Sequence, residues 1–399
     1  MNIHPLRRPA GAEIVPVPDH RLARLEVFED MAAAEPFWRA LEGGLATPYQ
    51  RYDFLKLWQQ HVGSAAGVTP FIVVGFNAGG EPLFLWPFGR RRLGRLRVAE
   101  FLGGKHANFN MALWRCDVAI QCDAADMAAA LSRLAGEVDL ICLSNQPLTW
   151  GGATNPFALL PHQRAANSGF SGALIPDFEA LLRARTNAAA RKKMRKKERA
   201  LADMGTVTFT RAEDLAEVRR VLDVFFKQKS ARMRARGITD VFVAAGVRRF
   251  IEAASTGPAS GGVPLIELYA LSVDEIVVAT MGGIVGQNRF CAMFNSIAQG
   301  RYAVESPGEQ LILHLVRRCC ERGFATFDLG IGDARYKSLF CGDVEPLFDS
   351  FLPLSAEGRL FAVAFRGAAL AKRVIKQRPV LWSVVRAARR LRARFSPAG

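Results

Sequence analysis

The segment best suited to chemistry is YAVESPGEQL at 302–311, which follows two strand-like runs and opens a helix. Ser306, Pro307 and Glu309 stand in the order of a helix start: a capping residue, a proline in the first turn and the acid of a capping box. With Gly308 permitting close approach, the free backbone N–H groups of such a start can bind a pyrophosphate. An ordinary helix start is the alternative, because the Glu309 carboxylate repels phosphate unless it folds back onto the helix.

A second group of polar residues lies at the end of the next strand, in FDLGIGDARYK at 327–337. Polar side chains at the end of a buried strand commonly belong to a binding or catalytic site in α/β proteins. The alternative is a glycine-rich turn that holds a salt-bridged aspartate. Asp333, Tyr336 and Lys337 are the candidate residues of this segment.

A third group lies in KHANFNM at 105–111, where His106, Asn108 and Asn110 alternate with apolar residues. If this run is extended, all three side chains face one side of a strand. His106 has an ordinary pKa near neutrality, as a general base requires. A histidine with a purely structural role is the alternative.

Positive charge is concentrated in two places. The chain carries 53 basic and 37 acidic residues, and residues 191–199 (RKKMRKKER) and 361–399 together hold its whole excess of +16. This excludes a protein that coats nucleic acid with its entire surface and indicates two local contacts with anions. Residues 191–199 form either a solvated helix face or a site for CoA phosphates, tRNA phosphates or anionic lipid. The amphipathic tail, broken at Pro379, docks on its own domain or on an anionic membrane surface.

Length and composition predict a globular protein of two domains. Of 399 residues, 50% are hydrophobic and 23% charged, which excludes disordered and fibrous classes. The sequence shows neither a bilayer-spanning apolar run nor the core of a secretory signal, so we expect a cytoplasmic protein. The seven cysteines and six histidines lack the spacing of disulfide frames or metal sites, so we expect reduced thiols and no metal.

Helical and strand-like segments alternate in both halves, which predicts two similar α/β units in tandem. Region 144–176, rich in Asn, Gly, Pro and Ser, is the expected crossing between them. In the second half we expect strands over 207–210, 265–271, 276–285, 289–296 and 326–330 and a helix over 307–322.

Residues 268–340 resemble the GNAT superfamily of acyl-CoA-dependent N-acyltransferases. More narrowly, they resemble the cellulose-biosynthesis-type (CelD/BcsL-like) acetyltransferases and the related FemAB-type aminoacyltransferases. The resemblance is carried by the strands YALSVDEIVVATMGGIV and RFCAMFNSI, then Ser-Pro-Gly, a leucine-rich helix, FDLGIGD and Tyr-Lys. The basic helix ahead of this block also fits, whereas residues 13–175 match only loosely.

This resemblance implies an α/β (α+β) fold of tandem GNAT-like domains, each a mixed twisted sheet flanked by helices. It divides the chain into an N-terminal tail (1–12), a divergent GNAT-like domain (13–175), a GNAT acyltransferase domain (176–360) and a basic tail (361–399). It also implies acyl-CoA as a co-substrate, with no permanently bound cofactor. Its pantetheine would lie between splayed strands and its pyrophosphate at the helix start, although the superfamily's usual Arg/Gln-x-x-Gly-x-Gly/Ala loop is absent. The implied donor-binding residues are Ala279, Met281, Gly282, Ser306, Pro307, Gly308, Glu309 and Gln310.

Acyl transfer to an amine needs a deprotonated amine, a polarised thioester carbonyl and a protonated leaving thiolate. Backbone N–H groups at 279–282 are candidates for polarising the carbonyl, and the phenol of Tyr336 is the candidate acid. Asp333 and Glu305 are candidates either to accept the amine proton through a water or to hold the cationic amine before reaction. Lys337 is a candidate to pair with phosphate or with Asp333. The candidate catalytic residues are His106, Tyr336, Asp333 and Glu305, and the candidate substrate-binding residues are Asn108, Asn110 and Lys337.

Three functions compete at this point. The first is a CoA-dependent N-acyltransferase, acetyl or longer, that acts on the amine of a cell-envelope, polysaccharide or lipid precursor, with a sphingoid-type lipid amine among the candidates, in the cytoplasm or at the inner face of the membrane. The second is an aminoacyl-tRNA-dependent transferase, the only case in which we expect nucleic acid as a partner. The third is a non-catalytic accessory protein of exopolysaccharide synthesis.

Overall fold

The computed structural model describes residues 20–257, 262–286, 288–332, 334, 336–378, 380–383 and 385. Its strands are β1 (Arg24–Phe28), β2 (Thr69–Phe76), β3 (Pro82–Leu93), β4 (Leu96–Phe101), β5 (Leu113–Trp114), β6 (Leu140–Pro147), β7 (Thr149–Trp150), β8 (Ala153–Thr154), β9 (Gln163–Ala173), β10 (Val207–Arg211), β11 (Ile266–Val273), β12 (Ile276–Gly286), β13 (Arg289–Ile297), β14 (Thr326–Ile331) and β15 (Asp343–Pro353). Its α-helices are α1 (Met31–Leu41), α2 (Tyr52–Trp58), α3 (Cys116–Gln121), α4 (Ala124–Ser132), α5 (Phe178–Arg185), α6 (Ala188–Ala202), α7 (Leu215–Ala235), α8 (Val247–Ser255), α9 (Pro307–Glu321), α10 (Lys337–Phe340) and α11 (Ala356–Gln377).

One mixed sheet runs through both halves of the chain, in the order β1-β2-β3-β4-β6-β15-β9-β14-β13-β12-β11-β10, with β5 added at β3. Each half repeats one plan, in which four antiparallel strands are followed by a parallel joint, β4 to β6 in the first half and β13 to β14 in the second. The mixed α/β fold with a helix-flanked sheet, expected from the sequence, is confirmed.

The join between the halves is made by β9 and β15, which the sequence did not predict as strands. β9 pairs with both β14 and β15, and β15 pairs in turn with β6. β9 reads QRAANSGFSGA, where small and polar residues hide the alternation that marks a strand. The region predicted as a crossing therefore contains part of the continuous sheet.

Helices cover the sheet on both faces. The larger apolar core extends from the first half to α7 and α8, and a second core lies under α5, α6 and α9. A small third cluster lies under α11. The basic segment forms α6 as predicted, capped by Asn187, whose side chain accepts a hydrogen bond from the Ala190 amide.

The C-terminal helix begins before the predicted tail. α11 starts at Ala356, where the Ser355 side chain accepts a hydrogen bond from the Gly358 amide, and continues without a break to Gln377. The predicted break at Pro379 and the tail 1–12 lie outside the described residues. Within the described part, no helix combines the length and hydropathy needed to cross a bilayer.

Candidate active site

The sheet opens between β13 and β14. These parallel strands pair only at Arg289–Thr326, Phe290–Phe327 and Cys291–Asp328. Beyond that point β13 stays with β12 as far as Ile297, while β14 follows β9. The two strands therefore diverge and leave a wedge at their carboxyl ends, the place where open α/β sheets form binding sites.

The narrow end of the wedge is closed by Asn108, which comes from the first half of the chain. Its Nδ2 donates to the Ala292 carbonyl at 3.0 Å and lies 3.3 Å from the Tyr49 hydroxyl. Gly330, with φ of +70°, lies so close that a Cβ there would meet the Asn108 amide. Lys337 is buried, and its Nζ donates to the carbonyls of Gly330 and Ile331 at 3.0 and 2.9 Å. Lys337 thus holds the end of β14 in the interior of the protein.

The start of α9 differs from the predicted capping box. Ser306 has left-handed φ and ψ of 54° and 56°, and its side chain caps nothing. Its carbonyl instead accepts hydrogen bonds from the amides of Glu309 and Gln310, at 2.9 and 3.3 Å. Gly308 permits close packing, since a Cβ there would lie 2.8 Å from a methyl group of Ile297. Ser306 is a non-glycine residue in the left-handed region of backbone conformation, which costs about 1 kcal/mol or more. Such backbone strain is concentrated at functional sites.

Lys197 of α6 neutralises this helix start. Its Nζ lies 2.6 Å from Ser306 Oγ and 3.0 Å from Glu309 Oε2. The acid that would repel a phosphate is thereby paired with a cation from another helix. Sequence reasoning identified Glu309 as an obstacle but did not identify Lys197 as its partner.

A cavity of about 590 Å³ lies between α6, the first turns of α9 and the segment 336–340. Three bases and one acid lie around it, and apolar side chains from α6, α9 and α10 form much of its wall. This combination suits an elongated ligand with an anionic group at one end. The lining residues are Arg185, Ala190, Lys193, Met194, Lys197, Glu309, Gln310, Leu313, Tyr336, Ser338, Leu339 and Phe340.

Tyr336 links this cavity to the wedge. Its ring lines the cavity, and its hydroxyl hydrogen-bonds the side chain of Asn295 on β13. Burial raises the pKa of Tyr336 more than the Asn295 bond and the Arg232 charge lower it. The phenol therefore stays protonated at neutral pH and is able to donate a proton.

Lys229 of α7 lies beyond Tyr336 on the other face of the sheet, and it belongs to no motif that sequence analysis singled out. Its Nζ donates to the Asn295 carbonyl at 3.1 Å and lies 5.3 Å from the centre of the Phe242 ring. Burial, with the charges of Arg232 and Arg236, lowers the pKa of Lys229 to about 8, although Asp240 partly opposes the shift. An amine of this pKa is partly neutral near physiological pH, as a general base requires.

His106 and Asn110 do not share a strand face with Asn108, contrary to the sequence expectation. Gly104–His106 is a 3₁₀ turn. His106 Nδ1 accepts a hydrogen bond from Trp58 Nε1 at 3.1 Å, and burial lowers the pKa of His106. Asn110 is buried and donates to the Ser144 carbonyl at 3.0 Å. The cavity brings together none of these three residues.

The remaining predicted residues are placed as follows. Ala279, Met281 and Gly282 lie on β12, which pairs with β11 on one side and with β13 on the other. β12 therefore has no unpaired edge that could bind a thioester carbonyl. The unpaired edge belongs to the later part of β13, one strand over. Glu305 is half-buried at the end of a 3₁₀ segment, Gly300–Glu305, and its side chain makes no hydrogen bond or ion pair with a described residue. Asp333 lies outside the described residues.

Asp328 in FDLGIGD is the salt-bridged aspartate of the alternative interpretation. It is fully buried, and its carboxylate pairs with Arg289 at 2.5 Å. The same guanidinium pairs with Glu345 at 2.8 Å and stacks over Trp150 at 4.2 Å. This cluster joins β13, β14 and β15. It is a structural centre next to the wedge, and the cavity does not reach it.

One comparison with known proteins covers the region of the cavity. Residues 188–338 match the family model of the acetyltransferase (GNAT) domain, a span that runs from α6 through α9 to the first turn of α10. The match thus supports a GNAT-type acetyltransferase domain at 188–338, which contains nine of the twelve residues that line the cavity. No curated protein sequence matches the chain.

Solved structures show the same fold over most of the chain. A C-terminal domain (DUF2156) from Agrobacterium fabrum, assigned as a lysylphosphatidylglycerol synthetase, is 12% identical, with a TM-score of 0.51 over 85% of this chain and 96% of that one. FemX is 9% identical, with a TM-score of 0.51 over 80% of this chain and 99% of its own. A protein of unknown function from Bacteroides thetaiotaomicron is 10% identical, with a TM-score of 0.50 over 82% and 100%. At these identities the likeness concerns the fold alone.

Proposed function

We propose that the protein is an N-acyltransferase that carries an acyl group from acyl-CoA to an amine. The observation that carries the proposal is the cavity between α6 and α9, which lies largely within the GNAT-type domain and reaches Tyr336 at the open edge of β13. Its basic side, formed by Lys193 and Lys197, suits the donor's phosphates, and its apolar wall suits the pantetheine arm.

In this proposal the thioester carbonyl lies beside the unpaired edge of β13, next to Tyr336. The amine nitrogen of the acceptor attacks the carbonyl carbon, the carbon–sulfur bond breaks, and the amide bond forms. The leaving thiolate takes the proton of the Tyr336 hydroxyl. The amine proton passes to neutral Lys229, either directly or through a water molecule. The donor thus enters from the α6 and α9 face and the acceptor from the α7 face.

The acceptor class rests on the sequence resemblance. The likeness of 268–340 to cellulose-biosynthesis-type acetyltransferases favours an amine of a cell-envelope precursor, either a polysaccharide unit or a lipid. Purified protein incubated with acyl-CoAs of different lengths and a panel of amines, followed by mass spectrometry, tests the proposal. We expect a product whose mass increases by one acyl group together with stoichiometric free CoA. Absence of both from every donor and amine pair, with a folded protein, would contradict it.

A second candidate is favoured by the solvent-facing side of α6. Lys192, Lys193, Arg195, Lys196 and Arg199 are all exposed there, and such a row of bases suits the phosphates of an RNA. The FemAB-type resemblance implies a charged tRNA as donor. Filter binding with aminoacylated tRNA separates the two functions, because tRNA binding would be strong, steeply salt-dependent and lost on Arg195→Gln/Lys196→Gln, neither of which lines the cavity.

A further inference from the structure

The C-terminal helix α11 has two apolar faces, of which only one is covered. Phe361, Ala362, Phe365 and Ala369 belong to the cluster that packs on the sheet around Phe351. Arg366 donates to the Phe351 carbonyl at 2.7 Å, and Lys376 donates to the Asn167 side chain at 2.5 Å. The helix is thereby fixed to β15 and β9, with its other side turned to solvent.

The exposed side carries a second apolar stripe. Leu360, Val363, Leu370 and Val374 are 73%, 68%, 53% and 38% exposed. With Gly367 between them, they recur at intervals of three and four residues and so form one face of the helix. A contiguous exposed apolar patch of this kind marks a contact with a partner or a membrane.

The charges beside the stripe identify its partner. Arg359, Arg366 and Arg373 recur every seven residues along one flank, and Glu357 is the helix's single acid. Two copies of the stripe packed together would bring three arginines of each helix near one another with a single acid, Glu357, on each helix to pair with them, which disfavours a dimer. An anionic bilayer surface offers both apolar chains for the stripe and negative charge for its flank.

We propose that the exposed stripe of α11 binds the surface of an anionic lipid bilayer, with the helix lying in the membrane plane. The sequence predicted membrane contact for the basic tail, with its apolar face over 381–391, most of which lies outside the described residues. The stripe at 360–374 is a separate surface. The proposal does not depend on acyl transfer, and a soluble amine assay measures that activity independently.

Co-sedimentation of the full chain with vesicles tests this surface. We expect binding to phosphatidylcholine vesicles that contain about a third phosphatidylglycerol and little binding to pure phosphatidylcholine. Raising the salt from about 0.1 M to about 1 M, which shortens the Debye length from about 10 Å to about 3 Å, should weaken the binding. Leu360→Gln/Leu370→Gln leaves every charge in place and should weaken binding about tenfold or more.

Ile120→Gln is the matched control, since Ile120 of α3 is 76% exposed, and it should bind like the wild type. Equal melting temperatures would show that the variants are folded. Three results would overturn the proposal: no binding to anionic vesicles, unchanged binding of the double variant, or a wild-type dimer in sedimentation velocity that the double variant converts to a monomer. The last result would assign the stripe to a second copy of the chain.

Discussion

Lys197 controls the charge that a ligand meets at the start of α9. Its Nζ contacts both Ser306 Oγ and Glu309 Oε2, although it comes from α6, more than a hundred residues earlier in the chain. Without it, a half-exposed carboxylate would face the anionic end of the donor. The suitability of this helix start for phosphate therefore depends on a contact between two helices as well as on the sequence Ser-Pro-Gly.

Removing this cation should weaken donor binding in a way that a second substitution repairs. Lys197→Gln should raise the Kd for CoA about tenfold or more, because it removes one favourable charge and exposes Glu309. Lys197→Gln/Glu309→Gln should recover part of the loss, and calorimetric titration measures both. A double variant weaker than Lys197→Gln would contradict this account of Glu309.

The hydroxyl of Tyr336 should matter for chemistry and little for binding. Tyr336→Phe removes the proposed acid, so kcat should fall about 100-fold or more while the donor KM changes little. Steady-state kinetics with saturating amine measures both constants. Tyr302→Phe is the control, since among the described residues that hydroxyl accepts a hydrogen bond from Arg301 and does not line the cavity. A rise in KM with unchanged kcat would mean that Tyr336 only packs against the donor.

Lys229 should produce the ascending limb of the pH profile. Its pKa of about 8 lies below the ordinary 10.5, so kcat should rise through pH 8 as the neutral amine forms, and Lys229→Met should flatten this limb. The same shift has a stability consequence of defined sign. The folded state holds the Lys229 proton less tightly than the unfolded state does. The contribution of Lys229 to the free energy of unfolding is therefore fully present above pH 10.5 and is lost as the pH falls through about 8. A wild-type profile that is flat between pH 7 and 9 would contradict the assigned role.

At the scale of elements, the helix α11 shows how close packing fixes a position on the sheet. A Cβ at Gly358 would overlap the carbonyl oxygen of Asp139, whereas a Cβ at Gly367 of the same helix meets nothing within 4 Å. Asp139 itself accepts hydrogen bonds from the backbone amide and side chain of Arg97, which lowers its pKa to about 2. The start of α11 therefore presses directly on the joint between β4 and β6.

Two glycine substitutions in α11 should have opposite effects. Gly358→Ala should lower the free energy of unfolding by about 2 kcal/mol, because the helix must move away from the Asp139 carbonyl. Gly367→Ala should raise it by about 0.5–1 kcal/mol, since alanine favours helix and has room there. Urea unfolding of both variants measures the difference. Equal effects of the two would mean that α11 does not pack as described.

Sequence patterns predicted the second half well and the join poorly. The strands from β10 to β14 and the helices α6 and α9 follow clear periodicity, and their ends fall within a few residues of the expected positions. β9 lacks periodicity because small residues are required where neighbouring side chains pack against it. A Cβ at Gly169 would meet Phe109, and a Cβ at Gly172 would meet Arg185. For the site, Tyr336, Glu309 and Gln310 were found because they lie near a motif. Lys193 and Lys197 belong to the basic run 191–199, for which CoA phosphates were one expected partner, but the sequence does not show that this run packs beside α9. Lys229 reaches the site from α7 and belongs to no motif.

At the scale of the whole molecule, the continuous sheet makes the halves interdependent. β15 comes last in the sheet's sequence order yet lies between β6 and β9 of the first half. The wedge that forms the candidate site is also completed by Asn108 from the first half. The tandem repeat of topology therefore builds one structural unit, and the site belongs to both halves.

This interdependence predicts the behaviour of a fragment. Residues 176–360 alone should fail to give a cooperative thermal transition, because β14 would lose β9 and β15 would lose both of its partners. Circular dichroism of this fragment beside the chain from 20 to 378 measures the effect. A sharp transition of the fragment, with native secondary structure, would show that the second half folds by itself.

The central claim is that an acyl-CoA donor occupies the cavity between α6 and α9, and blocking that cavity tests it most directly. Calorimetric titration with CoA should give micromolar binding to the wild type and to Lys192→Gln, whose side chain is outside the cavity. Binding should be lost in Leu313→Trp, where an indole fills the cavity wall, provided that the melting temperature is retained. Wild-type affinity in Leu313→Trp, or no affinity in the wild-type protein, would contradict the account.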